Sequence, residues 1–314
     1  MGRGIEGRDR AGDELAWVAL QSVPGVGPAA MLRLARVFGS ARGAYAAPIE
    51  DLSGRGGLPA QQAEAVAALH KGEKELASRI ARWRSEGISL LTIDKKAYPE
   101  RLRDLRHPPP LVYCKGQLQP EDGRAVAIVG SRGADEAGRE IAHGLATGLS
   151  ERGFTIVSGL ARGIDTAAHH GALSSEQGRT VAVLGSGLSH VYPPENMELA
   201  AHISARGCLL AEVPPETSVD RGLLLARDRI QAALSRAVIV VQAAPDCGSI
   251  VTARHAVECE RLLFAVPWQS PPFSDGWEAL QELGARPFSR TMELDAIAEE
   301  IDAWEPPRNQ PPLL

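Results

Sequence analysis

The chain has 314 residues, of which 44% are hydrophobic and 23% charged, and its formal net charge at pH 7 is −5. This composition is typical of a globular protein with a large core and more than one domain. Since the overall balance is acidic, any site for a polyanion has to be a local basic patch. The four cysteines have no CxxC spacing, and no segment reaches the length of a membrane span. We therefore expect a cytoplasmic protein without disulfides, a bound metal or membrane contact.

Residues 11–84 are predicted to form a small all-α domain. Apolar spacing and Gly/Pro punctuation predict three helices, at Leu15–Gln21, Pro28–Phe38 and Gln61–Trp83. The segment Val23–Pro28 joins the first two helices and has the shape of a helix-hairpin-helix or SAM-like turn, which can present backbone amides to a DNA phosphate. A tight connection in a small interaction domain is the alternative.

Residues 85–120 form a joining segment in this interpretation. Strands are expected at Ile88–Ile93 and Leu111–Cys114, and the stretch between them is rich in turn-forming residues.

From Ala125 the pattern changes to alternating strands and helices, in a domain predicted to span residues 121–268. The strands are Ala125–Val129, Phe154–Val157, Thr180–Leu184, Cys208–Ala211, Val238–Val241 and Leu262–Val266. The helices are Glu136–Arg152, Asp165–Leu173, Glu195–Arg206, Leu223–Arg236 and Ser249–Cys259. Because the strands are near-continuous apolar runs, they indicate a mostly parallel, doubly wound, Rossmann-like α/β sheet with its ligand crevice beyond the strand carboxyl ends. Residues 269–314 are a Pro-rich extension with one helix, at Glu293–Trp304.

Two strand ends break into Gly, Ser and Arg. Gly130, Ser131 and Arg132 follow the first strand of this domain, and the loop Ser158–Gly163, with Gly159 and Arg162, follows the second. Such loops open at helix N-termini and offer backbone N–H donors, a favourable dipole and guanidinium groups. Together they predict a phosphate site, although Arg132 can alternatively pair with Asp135 or Glu136.

Further candidates should lie around the same crevice. The predicted phosphate contacts are Gly185, Ser186, Gly187, Arg227, Arg229, Gly248, Ser249 and Thr252. Tyr192 can stack a base or pack beneath its loop. Asp165 is interpreted as a helix N-cap. Asp165 and His169 share a helical face, but no third residue completes a metal site.

Common enzyme classes lack their sequence signals here. The first turn is not GxGxxG, and the second strand ends at Ser158-Gly159 rather than at the acidic residue that binds a nicotinamide ribose. No GK[ST] occurs, and the α/β domain contains no lysine. We predict no catalytic residues and no cofactor.

Five segments of the chain, taken together, resemble the DNA-processing protein A family (DprA/Smf). The resemblance rests on segments that follow the family's order and spacing, and it extends over roughly residues 13–300. The segments are Val126–Arg132, Val157–His169, Val181–Asn196, Arg227–Ser235 and Gly248–Pro267.

The resemblance implies a non-enzymatic single-stranded DNA-binding protein that protects incoming DNA and loads the RecA recombinase in natural transformation and recombination. It also implies a homodimer joined through the α/β domain, with Trp268 and Phe273 near the partner surface. By position, Gly130, Ser131, Arg132 and the Ser158–Arg162 loop would line the DNA pocket.

Some residues depart from the family pattern. Arg227-Asp228-Arg229 stands where Arg-Asn-Arg is usual, Ala233 replaces a glycine, Trp268 replaces a small residue, and no winged-helix domain is expected. An alternative therefore stays open, a nucleotide-binding sensor or phosphoribohydrolase-like enzyme on the related lysine-decarboxylase-like scaffold. The turn Ala244–Ser249 lacks the catalytic Glu of those hydrolases.

Overall fold

The structure is a computed structural model that describes residues 13–288 and 294–305. The described chain divides into two units, and the division falls between Val112 and Tyr113. The predicted joining segment 85–120 is thus shared between the units. None of the described helices combines the length and the hydropathy needed to cross a bilayer.

The first unit is mainly helical, as predicted. Its helices are α1 (residues 13–21), α2 (Pro28–Phe38), α3 (Ala41–Tyr45), α4 (Ile49–Ser53), α5 (Ala60–Ala68) and α6 (Glu73–Ser85). The turn between α1 and α2 depends on Gly25, whose φ of +81° favours glycine. Trp17, Leu34 and Trp83 fill the core.

The single helix predicted at Gln61–Trp83 is wrong. A 3₁₀ turn at Leu69–Gly72 separates α5 from α6, because Gly72 is a poor residue for a helix interior. Strand β1 (Ile88–Thr92) follows, and the Ile93 N–H donates to the carbonyl of Pro110 at 2.8 Å.

The second unit is built on one mostly parallel sheet. Its strands are β2 (Leu111–Gly116), β3 (Ala125–Val129), β4 (Thr155–Ser158), β5 (Thr180–Leu184), β6 (Cys208–Ala211), β7 (Ala237–Val240), β8 (Leu262–Ala265) and β9 (Arg286–Pro287). They lie in the order β2-β6-β5-β4-β3-β7-β8-β9, and β2 runs antiparallel to β6. From β3 the chain winds first toward β6 and later toward β9, so the order reverses between β3 and β7. Open α/β sheets bind ligands at such a switch point.

Helices cover both faces of this sheet. They are α7 (Glu136–Glu151), α8 (Ile164–Ser174), α9 (Met197–Arg206), α10 (Arg221–Ala226), α11 (Asp228–Leu234), α12 (Gly248–Glu258), α13 (Phe273–Glu282) and α14 (Leu294–Ala303). The predicted fold class, a doubly wound α/β domain preceded by a helical domain, is confirmed.

Two helices of this unit differ from their predicted bounds by more than one residue. Leu223–Arg236 is not one helix, because the chain turns at Arg227 between α10 and α11. No residue of α10 is buried, whereas α11 buries six of its seven residues. The apolar spacing continues through the turn and therefore does not reveal it. The helix predicted from Glu195 begins at Met197, after a 3₁₀ turn at Pro194–Asn196.

The predicted extension 269–314 belongs to the second unit as far as it is described. Strand β9, which was not predicted, pairs with β8, and Ile297 and Ile301 of α14 enter the core. The predicted helix start at Glu293 and the tail from Pro306 lie outside the described residues. The Trp268 indole donates to the Val241 carbonyl and packs on the core, so Trp268 covers its own domain.

Candidate functional site

A cavity of about 690 Å³ lies at the switch point. Its walls come from the β3–α7 loop, from α10 and α11, and from the N-terminus of α12. It brings together seven of the fifteen sequence-predicted phosphate contacts, and also Tyr192. The seven are Gly130, Ser131, Arg132, Arg227, Gly248, Ser249 and Thr252. Asp165, Asp220, Arg221, Leu224, Leu225, Asp228 and Gln231 line it as well.

Hydrogen bonds with Gln242 fix the β3–α7 loop, and none of them involves the side chain of Arg132. The Ser131 N–H donates to the Gln242 carbonyl at 2.6 Å, and the Gln242 amide nitrogen donates to Asp135 at 2.9 Å. Asp135 also caps α7 by accepting from the Gly138 N–H, while Glu136 pairs with Arg139. Asp135 and Glu136, the alternative partners of Arg132 in the sequence, are therefore engaged elsewhere. Arg132 is exposed on the cavity and has no ion-pair partner among the described residues.

Two backbone N–H groups of the β4–α8 loop are hydrogen-bonded to the side chain of Asp165 in α8. The Asp165 carboxylate accepts from the Gly159 N–H at 3.1 Å and from the Ala161 N–H at 3.3 Å. The interpretation of Asp165 as an N-cap is wrong: Gly163 occupies the cap and α8 begins at Ile164, so Asp165 lies in the first turn and reaches back to the loop. Gly163 has φ +75°, and a Cβ there would overlap the Ser131 carbonyl oxygen.

The remaining side chains of this loop are also engaged. Ser158 is buried and its hydroxyl donates to the Ile128 carbonyl at 2.7 Å. Leu160 has φ +58°, and its carbonyl accepts from the Asn196 amide at 2.8 Å. Arg162 is ion-paired with Glu195, and together with Gly159 and Tyr192 it lines a smaller neighbouring cavity. The loop therefore offers few free donors to a ligand.

Gly159 makes room for Arg227. A Cβ at this position would overlap the Arg227 guanidinium, and Arg227 itself is only 6% exposed. Its nitrogens lie 3.8 Å from Asp165 Oδ2 and 3.4 Å from Asp228 Oδ1. The loop thus holds the buried Arg227 guanidinium in place at the cavity.

Two buried donors at the cavity have no hydrogen-bond acceptor in the described structure. They are Nε of Arg227 and Nε2 of Gln231. A buried donor without a hydrogen bond costs about 1–3 kcal/mol, so a ligand that carries acceptor oxygens would gain by reaching them. At the opposite wall, no side chain caps the N-terminus of α12. The Ile250 N–H donates to the Cys247 carbonyl at 3.1 Å, whereas the N–H groups of Gly248 and Ser249 have no intrahelical acceptors.

The carboxylates of Asp165 and Asp228 lie next to the Arg227 guanidinium. Burial raises the pKa of Asp228 to about 7, although Arg227 and Arg132 act in the opposite direction and Asp165 adds to the rise. Burial also raises the pKa of Asp165, against Arg227 and the two loop N–H groups. The charge of the cavity therefore depends on pH near neutrality.

Several predicted contacts are not brought to the cavity. A Cβ at Gly185 would lie 2.7 Å from Leu224 Cα, and the Gly187 N–H donates to the Thr217 carbonyl at 2.8 Å. Between them, the Ser186 hydroxyl donates to His190 O at 2.7 Å. This turn is covered by α10 and by the segment that precedes it. The Arg229 guanidinium lies 2.5 Å from a Glu212 carboxylate oxygen and does not line the cavity.

Sequence reasoning missed Arg221, Asp228 and Gln231 as lining residues. Asp220 and Arg221 follow a Pro-rich segment, and the Asp220 carboxylate accepts from the Leu223 N–H at 2.9 Å to cap α10. An Asp three residues before the start of an apolar run was the available signal. Gln231 had no comparable signal, because a polar residue inside a helix is usually interpreted as solvent-facing.

Asp165 and His169 do not form an acid–base pair. His169 is buried and its Nδ1 lies 2.7 Å from the Thr180 hydroxyl, and burial lowers the pKa of His169 to about 3. His169 is therefore neutral at physiological pH. The described residues hold no group of His, Cys, Asp or Glu side chains arranged to bind a metal.

The sequence profile of the DNA recombination-mediator protein A family matches residues 89–302. The chain belongs to this family. The resemblance noted in the sequence is thus confirmed.

Relatives within the DNA recombination-mediator protein A family align over much of the chain. Protein Smf from Synechocystis is 36% identical over 259 residues, which cover 81% of this chain and 65% of that protein. DNA processing protein DprA from Bacillus subtilis is 37% identical over 209 residues, covering 66% of this chain and 70% of that protein. The chain thus spans less than two thirds of the length of its Synechocystis relative.

Two solved structures of family members share the fold. DprA from Streptococcus pneumoniae superposes with a TM-score of 0.79 at 29% identity and covers 90% of this chain and 97% of that one. DprA from Helicobacter pylori has a TM-score of 0.61 at 28% identity and covers 68% of this chain and 95% of that one. The latter structure was determined for its single-stranded DNA binding mode.

Proposed function

We propose that the chain binds single-stranded DNA and that the cavity at the switch point holds one of the DNA's phosphates. The observation that carries this proposal is the pair of buried donors without a hydrogen bond, Arg227 Nε and Gln231 Nε2, at a cavity that Arg132 and Arg221 also line. Phosphate oxygens are the acceptors that match guanidinium groups best. The single-stranded DNA binding of the H. pylori relative supports the same ligand class.

The local charge makes this compatible with an acidic protein. Arg132 and Arg221 are exposed and have no ion-pair partners among the described residues, so their charge is available to a polyanion. The pocket residues Gly130, Ser131, Gly248, Ser249 and Thr252 would surround the phosphate with backbone and hydroxyl donors. A short-range patch of this kind acts locally because salt screens charges beyond about 10 Å.

The rim adds apolar surface for bases. Tyr192 is 37% exposed and Leu225 is 39% exposed, and both line the cavity. Bases of a duplex are already stacked and paired, whereas those of a single strand can lie on aromatic side chains. We therefore propose a preference for single strands, with Tyr192 as a stacking residue.

We extend this proposal to the biological role that the family resemblance implies. The protein would protect incoming DNA and load the RecA recombinase in natural transformation, acting in the cytoplasm as a homodimer joined through the α/β domain and without catalysis of its own. Trp268 is only partly buried against its own domain, so its place near the partner surface, with Phe273, belongs to the same proposal. Light scattering of the purified protein and an assay of RecA filament formation on DNA coated with this protein test these two parts.

The binding proposal is tested by fluorescence anisotropy with a labelled oligothymidine of about 20 nucleotides, which is longer than the about 4–16 nucleotides that one OB-fold domain covers. We expect tighter binding to the single strand than to a blunt duplex. Affinity should also fall steeply with salt, with a slope of about −0.7 per phosphate neutralised.

Equal affinity for the duplex, or binding that salt does not weaken, would contradict the proposal. A free nucleoside monophosphate serves as competitor in the same experiment. If it displaced the oligonucleotide at equal concentration, the cavity would be a mononucleotide site, which is the alternative that the sequence leaves open.

A further inference from the structure

Asp228 occupies the place where an incoming phosphate would be attracted. Its side chain lines the cavity and is only 5% exposed. Oδ1 lies 3.4 Å from Nε of Arg227, one of the two buried donors that lack a hydrogen bond. Oδ2 faces the N-terminus of α12, because a Cβ built on Gly248 would lie 3.4 Å from it. The carboxylate therefore stands between a guanidinium and a helix N-terminus, the two features that favour an anion.

The charges around Asp228 come from each neighbouring element. Arg227 precedes it in the chain, Asp165 reaches it from α8, and Arg132 faces it from the β3–α7 loop. The other charged side chains that line the cavity are Asp220, which caps α10, Arg221 of α10 and Asp246 of the loop before α12. None of the described lining residues is a histidine.

A phosphate bound in this cavity would change the net charge around Arg227 and Asp228. With both Asp165 and Asp228 ionised, Arg227 is shared between two carboxylates, and a phosphate would add a third anion at the same guanidinium. Like charges within about 4–6 Å disfavour the ionised form of a carboxyl group. If Asp228 takes up a proton from solvent, Arg227 keeps only Asp165 as its internal partner, and the Asp228 O–H becomes a donor toward the phosphate.

We propose that Asp228 determines the affinity of this cavity for phosphate groups by competing with them, and that a phosphate binds together with one proton taken up by its carboxylate. This inference rests on the proposed function, because it concerns the same cavity and ligand class. Protonation of Asp228 is accessible near neutral pH, since burial already raises its pKa to about 7.

The test compares wild type with Asp228→Asn, a substitution of nearly equal shape that removes the titrating group. Binding of the same oligothymidine is measured by anisotropy at constant ionic strength between pH 6 and pH 8, where a phosphodiester does not titrate. Above the pKa of Asp228, wild-type affinity should fall about tenfold per pH unit, because each binding event consumes one proton. Asp228→Asn should bind with little pH dependence and more tightly than wild type at pH 8.

Asp246→Asn is the matched control, since it removes one carboxylate from the same cavity at an exposed position. It should raise affinity without changing the pH slope. Calorimetric titration in two buffers of different ionisation enthalpy counts the protons directly, and we expect an uptake approaching one per site in wild type at pH 8 and almost none in Asp228→Asn. Circular dichroism at each pH verifies that the variants are folded.

The outcomes separate the two proposals. If wild type and Asp228→Asn bind with the same pH slope, or if wild type binds with no slope and no proton uptake, the inference about Asp228 is wrong while single-stranded DNA binding stands. If neither protein binds the oligothymidine anywhere between pH 6 and pH 8, the proposed function itself fails, and the inference fails with it.

Discussion

The β3–α7 and β4–α8 loops have similar sequences but different roles in the structure. Both leave a buried strand through Gly, Ser and Arg and both enter a helix. In the first loop, Asp135 and Gln242 brace the backbone from behind, and Arg132 remains free at the cavity. In the second loop, the Asp165 carboxylate accepts hydrogen bonds from two N–H groups, and Glu195 forms an ion pair with Arg162.

The difference lies in which partners the rest of the fold supplies. The second loop pairs with its own helix and with the segment before α9, so most of its polar groups are satisfied internally. Its contribution is to seat Arg227 against Gly159 and Asp165. One loop is therefore positioned to contact a ligand, and the other positions the cation beneath it. The predictions below follow from this contrast.

Gly159→Ala should produce the largest effect. The added methyl would overlap the Arg227 guanidinium, which would have to leave Asp165, and breaking a buried ion pair costs about 3–5 kcal/mol. We expect a loss of this order in the free energy of unfolding, measured by urea denaturation.

Gly133→Ala in the first loop is the matched control for that variant. Its Cβ would meet nothing closer than the Ser131 hydroxyl at 4.0 Å, so the change in unfolding free energy should stay within about 0.5 kcal/mol. Equal losses in the two variants would contradict the assignment of different roles to the loops.

Asp228→Asn should stabilise the protein in a pH-dependent way. The folded-state pKa of Asp228 is raised to about 7 from 3.8, so the folded protein holds a proton that the unfolded chain has released. Stability is thus lost as pH rises from about 4 to 7, and at about 1.4 kcal/mol per pKa unit the loss reaches at most about 4 kcal/mol. Urea denaturation should show the variant and wild type equal near pH 4 and the variant more stable at pH 8. A constant difference across this range would argue against a raised pKa.

Arg132→Ala should weaken DNA binding much more than Arg162→Ala. A hydrogen bond to a charged group contributes about 1.5–3 kcal/mol, so losing Arg132 should reduce affinity by about ten- to a hundredfold, with folding unchanged. Arg162 is already paired with Glu195, so its loss should change affinity by less than about threefold, in keeping with the small energies of exposed pairs. Anisotropy titrations at fixed salt measure both.

Arg139→Ala is the control for charge alone in that comparison. Arg139 pairs with Glu136 on α7 and does not line the cavity, so its removal should leave affinity nearly unchanged. If all three arginine variants lost the same affinity, binding would depend on diffuse charge rather than on the cavity.

Ser186→Ala should have the smallest effect and extends the contrast to the end of β5. The Ser186 hydroxyl donates to the His190 carbonyl inside a covered turn, so its removal should cost about 1 kcal/mol of stability. DNA affinity should not change. A clear loss of affinity in a folded variant would show that the turn contacts DNA after all.

The sequence predicted the framework of the site well. Apolar runs located β3 and β5 at the residues where the structure has them, because a strand covered on both faces has to be apolar throughout. The predicted loops after β3 and after β7 both reach the cavity. The break between α10 and α11 was missed, since Arg227 interrupts neither the polarity pattern nor the helical spacing.

What the sequence by itself determined is the alternation of elements, the family and the residue types available at the strand ends. These follow from local patterns, because side-chain periodicity and turn chemistry act over a few residues. Only the tertiary structure decided which of those residues are free to bind. Whether Arg132 or Arg162 is paired, whether Gly159 faces a ligand or Arg227, and how far the pKa of Asp228 rises all depend on partners distant in the chain. Burial and ion pairing arise between elements, and no local pattern records them.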